Sequence, residues 1–71
     1  VREKVYVKLT PAGYYDVFCS TEAAAAIEDF PCVNQVEGPS GKAQYQVFLD
    51  KRYSRGDFQA MLDEAFEVVG G

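Results

Sequence analysis

Cys19 and Cys32 are the two thiols of the chain, and no histidine accompanies them. A thiol at the start of a helix can be acidified by the helix's positive end and become nucleophilic. Cys19 precedes Ser20-Thr21-Glu22, where a helix is expected to begin, so it is the candidate of the two. It has no histidine to act as base, and the alternation of its segment points it inward. Both cysteines therefore read as reduced structural thiols. They also fall short of a zinc site, which wants four Cys or His ligands. An enzyme would need an activated nucleophile or a paired acid and base. Neither is visible, so no catalytic residue, metal ligand or cofactor is assigned and the chain reads as non-enzymatic.

Charge offers two further possibilities. Lys51, Arg52 and Arg55 form the basic cluster, at the start of the last expected helix. Helix N-termini attract anions and nearby guanidinium groups add to that, so a phosphate or an acidic partner could dock there. The plainer reading is a solvated loop whose charges offset Asp50 and Asp57. On the acidic side, Glu22, Glu28, Asp29, Asp57, Asp63, Glu64 and Glu67 are expected on outer helix surfaces. They could fill a basic groove, as DNA-mimicking inhibitors do, or simply keep the helices soluble.

The remaining candidates are aromatic: Tyr6, Tyr14, Phe18 and Phe48. Their meaning depends on the strands that carry them. Residues 43–50 alternate, with Tyr45, Val47 and Leu49 on one face and Gln44, Gln46, Phe48 and Asp50 on the other. That is the period of a strand with one buried face. Residues 3–10 behave alike: Val5, Val7 and Leu9 inward, Lys4, Tyr6 and Lys8 outward. Thr10-Pro11-Ala12-Gly13 is turn chemistry. Residues 14–19 then return with Tyr15, Val17 and Cys19 inward. Asp16 belongs on the wet face, with Tyr14 and Phe18.

Ser20 or Thr21 caps a helix running to about Phe30, with Ala23, Ala26, Ile27 and Phe30 as its buried stripe; Pro31 ends it. Residues 32–36 form a short extended segment and Gly38-Pro39-Ser40-Gly41 a second turn. Ser54 with Asp57 resembles a weak capping box. Phe58, Met61, Leu62, Ala65, Phe66 and Val69 then follow an amphipathic helical pattern, and Gly70-Gly71 stops it. The prediction is an α+β fold: a two-layer sandwich in ββαββα order, its four-stranded, mostly antiparallel sheet covered by both helices on one face. Residues 1–71 make one domain, and 1–30 and 31–71 suggest a ββα pseudo-repeat.

This fold leaves the other sheet face open, carrying Tyr6, Tyr14, Phe18 and Phe48. Four aromatics there exceed what solubility needs, and a contiguous apolar patch of this kind marks an interface. The expected function is a small protein-protein interaction module, forming a homodimer or docking on a partner. Aromatics are also good strand formers, which is the plain alternative. The principal functional alternative is nucleic acid or another polyanion, stacked on the same rings and held by Lys4, Lys8, Arg52 and Arg55. The net charge of −4, seven basic against eleven acidic residues, disfavours it.

The Gly70-Gly71 ending resembles that of ubiquitin-like modifiers and sulfur carriers, and a hairpin followed by a helix is similar to the start of a β-grasp. Those families present a final strand before the tail, where this chain has a helix running into Val69. No run of apolar residues is long enough to span a membrane and Val-Arg-Glu-Lys is unlike a signal peptide, so a cytoplasmic protein is expected.

Overall fold

The computed structural model describes residues 2–70, leaving Val1 and Gly71 outside. Val1 of the opening Val-Arg-Glu-Lys and Gly71 of the Gly-Gly ending, both used in the sequence reading, lie outside the described residues. In β1 (Lys4–Leu9) Val5 and Val7 are buried, while Lys4, Tyr6 and Lys8 are exposed. In β2 (Tyr15–Phe18) Tyr15 and Val17 are buried and Phe18 is exposed. The two strands pair antiparallel, Val7 opposite Val17 and Leu9 opposite Tyr15. Thr10 closes the turn between them: its N–H and its hydroxyl both donate to the Tyr14 carbonyl at 2.9 Å.

Helix α1 (Thr21–Glu28) starts where the capping residues place it, with Ser20 Oγ accepting from Ala23 N–H at 3.1 Å. Its buried stripe differs from the expected one. Ala23, Ala24 and Ile27 are buried, Ala26 is exposed, and Phe30 lies beyond the helix end, half-buried against the core. A run of four alanines has no apolar contrast, so periodicity cannot choose among them.

The second half of the chain contains a longer strand than expected. β3 (Val33–Ser40) takes in Gly38 and Pro39, which read as turn residues, and pairs antiparallel with β4 (Gln44–Leu49). Register shifts between Val33 and Gln35 and between Glu37 and Ser40 absorb the misfit. β3 lies at a sheet edge, where a proline has no ladder hydrogen bond to lose and bulges are common. Gly38 adopts φ +125°, and a Cβ there would lie 2.8 Å from the Gln44 carbonyl oxygen, so only glycine fits this close approach.

Helix α2 (Arg55–Ala65) carries a complete capping box. Ser54 Oγ accepts from Asp57 N–H at 3.2 Å, and Asp57 Oδ2 accepts from Ser54 N–H at 3.0 Å. The helix stops at Ala65, short of the expected end. Phe66 is extended, and β5 (Glu67–Val69) pairs parallel with β1, Val68 opposite Val5. Val69 therefore does not belong to the helical stripe, and Ala65 is exposed. Phe66 and Val69 fit a helical period, but Phe66 and Val68 fit a strand period equally well. The free edge of β1 and the β preference of two valines decide between them. The final strand expected of Gly-Gly-terminated carriers is thus present.

The result is a mixed five-stranded sheet in the order β3-β4-β2-β1-β5 with two helices, in place of the expected four strands in ββαββα order. One core joins the inward strand positions to Ala23, Ala24, Ile27, Phe58 and Leu62 of the helices, so both helices cover the same face. Among the described residues no helix is long and apolar enough to cross a membrane.

Candidate interaction face

The uncovered face is organised in transverse rows by the strand registers. One row runs Val69, Tyr6, Phe18, Gln44 and Ser40 across β5, β1, β2, β4 and β3. The next runs Lys8, Asp16, Gln46 and Glu37. The third holds Tyr14, Phe48 and Gln35.

The four expected aromatics therefore fall into two groups. Tyr6 and Phe18 are direct cross-strand partners, 51% and 40% exposed. Tyr14 and Phe48 stack on each other, ring centroids 4.8 Å apart, and are half-buried. Such a pair contributes about 0.5–1.5 kcal/mol beyond its area. The groups stand about 13 Å apart along the strands, with the polar row between them. The structure thus brings all four onto one face but does not merge them into one patch.

Charges on this face are balanced. Lys4 pairs with Glu67 at 3.9 Å, and Lys8 stands beside Asp16 in the ladder. Gln35 Nε2 donates to Glu37 Oε2. Val69, Gln35 and Glu37 were missed as members of the face. Val69 was hidden in a helical pattern, and the other two lay in a segment whose strand character the Gly-Pro pair masked.

The basic cluster is partly spent. Arg52 donates to its neighbour Asp50 through Nε at 3.1 Å and Nη2 at 3.0 Å, and its backbone N–H donates to the same carboxylate at 2.9 Å. Those hydrogen bonds hold the Asp50 carboxyl below the usual carboxylate range. Asp57 already occupies the start of α2 through the capping box. Lys51 and Arg55 remain exposed on either side.

Both thiols are free and buried. Burial, and secondarily the Glu3 carboxylate, push Cys19 from 9.0 up to about 11. Burial is also the main cause raising Cys32, with Asp57 adding to it. Cys32 Sγ sits 3.4 Å from Met61 Sδ. Neither thiol is activated. For Cys19 this has a measurable consequence. The folded state holds the proton more tightly than the unfolded state, so its contribution is whole below pH 9 and is lost as pH rises toward 11. Urea midpoints across that window should fall, and fall less steeply in Cys19→Ala. An identical slope in the variant would show that Cys19 is not responsible.

Among the described residues no group of three or more His, Cys, Asp or Glu is placed to hold a metal. Comparison with family models, with curated proteins and with solved structures finds no match, so the open face itself carries the functional argument.

Proposed function

We propose that this chain is a small, non-catalytic, cytoplasmic interaction module whose open sheet face, through Tyr6, Tyr14, Phe18 and Phe48, docks on a protein partner or on another copy. The observation that carries the reading is the pair Tyr6 and Phe18, exposed side by side on the face that the helices leave bare. Buried, unactivated thiols support a non-catalytic role and suit a reducing compartment.

Polyanion binding would use the same rings with Lys4, Lys8, Arg52 and Arg55. It is disfavoured because Lys4 is paired with Glu67 and Arg52 with Asp50. Salt separates the two: polyanion binding weakens steeply as salt rises, whereas an aromatic interface does not.

The test is a photo-crosslinking phenylalanine analogue placed at Phe18 and, as control, at Glu64 on the exposed side of α2. Irradiation in cells should give a discrete protein adduct from position 18 and none from position 64. No adduct from position 18, or the same adducts from both, overturns the interface.

A further inference from the structure

We infer that the occupant of the open face is a second copy of this chain, packed face to face about a two-fold axis running along the strands between β2 and β4. The inference rests on the interface reading above and adds the partner and its geometry. A symmetric dimer needs a self-complementary surface, each residue meeting the partner's counterpart across the axis. The polar row reads Glu37, Gln46, Asp16, Lys8 from β3 to β1. Rotation about this axis reverses that order. Glu37 then faces the partner's Lys8, and Gln46 faces the partner's Asp16. Each contact occurs twice. An axis lying across the strands would instead set Lys8 on the partner's Lys8 and Asp16 on the partner's Asp16, so charge selects the axis along the strands. Lys8 makes no ion pair within its own chain among the described residues, which leaves it available.

The aromatic rows agree. Tyr14 and Phe48 flank the same axis, so Tyr14 meets the partner's Phe48 and the 4.8 Å stack becomes a cluster of four rings. In the other row Gln44 and Ser40 cover the partner's Phe18 and Tyr6, the two most exposed rings of the face. Sheets packed this way lie about 10 Å apart with strands within about 30°.

The test is charge exchange read by molar mass over a dilution series. The parent chain should weigh twice its 7.9 kDa. Lys8→Glu and Glu37→Lys should each weaken the dimer by about 10-fold or more, since each creates two like-charge contacts. An equimolar mixture of the two variants should restore a heterodimer, because each then meets its opposite. The double variant Lys8→Glu/Glu37→Lys should also recover. Within one chain the two positions lie three strands, about 14 Å, apart, beyond the screening length of about 10 Å, so recovery cannot arise inside a monomer. Both side chains are exposed, and an unchanged far-ultraviolet circular dichroism spectrum at concentrations where parent and variants are all monomeric confirms folding. A dimer indifferent to both single changes, or a mixture that fails to recover, overturns this geometry. A monomeric parent overturns the second copy as occupant. In each case a Phe18 crosslink to another protein would leave the interface reading standing, and its absence would remove that reading separately.

Discussion

Phe58→Ala is expected to bring the domain to the edge of unfolding. Phe58 is wholly buried where α2 meets the sheet, its ring 5.0 Å from that of Tyr15 and 6.4 Å from that of Phe30. It therefore ties together β2, α2 and the turn after α1. Truncating a buried phenylalanine costs about 3–5 kcal/mol, from lost transfer energy and from the cavity left behind. A domain of this length has a total stability of roughly 4–11 kcal/mol. Chains this small bury a modest share of their surface and have little reserve. Urea unfolding should show a midpoint near zero, or a thermal transition lowered by at least about 12 °C. A loss below about 1 kcal/mol would mean that the core is not centred on this ring.

The second large effect is on association, and it is expected without a comparable effect on folding. Tyr6→Ser with Phe18→Ser removes the two exposed rings of the open face. Truncating an interface hot-spot aromatic costs about 2 kcal/mol or more, so losing both rings should weaken association by roughly 700-fold. Neither ring packs against the core, so the melting temperature should move little when parent and variant are compared at concentrations where both are monomeric. Val17→Ser supplies the contrast. Val17 is the neighbour of Phe18 in β2 but has no exposed surface and belongs to the apolar core, so a hydroxyl there is cut off from water. It should cost about 2–4 kcal/mol of stability. A one-residue slip of register would exchange these outcomes, because it turns every side chain of a strand to the opposite face. Collapse of the Tyr6/Phe18 variant, with Val17→Ser tolerated, would reverse the assignment of faces.

Much of this face is legible one strand at a time. The period of two in residues 3–10, 14–19 and 43–50 points Val5, Val7, Leu9, Tyr15, Val17, Cys19, Tyr45, Val47 and Leu49 inward; all are buried except Leu9 and Leu49, which are partly buried against the core. The same period turns Tyr6 and Phe18 outward, where both are exposed. Ser20 and Ser54 mark two helix starts because a cap is made with residues only three positions away. These are local statements, and local geometry is sufficient for them.

Pairing is a different matter. Val68 and Val69 satisfy a helical period and a strand period alike, and the open edge of β1, more than sixty residues earlier in the chain, makes them a strand. The alanines of α1 are interchangeable until a sheet is laid beneath them. Gly38 and Pro39 read as a turn until an edge position lets a strand keep them with bulges. The stack of Tyr14 on Phe48 and the balanced row from Lys8 to Glu37 depend on which strands lie side by side. In β1, β2 and β4 the alternation of residue types already settles which side chains point inward, because that follows from the two-residue backbone period. Only the tertiary structure decided which side chains become neighbours, because strand order is set by contacts between distant segments competing for the same edges.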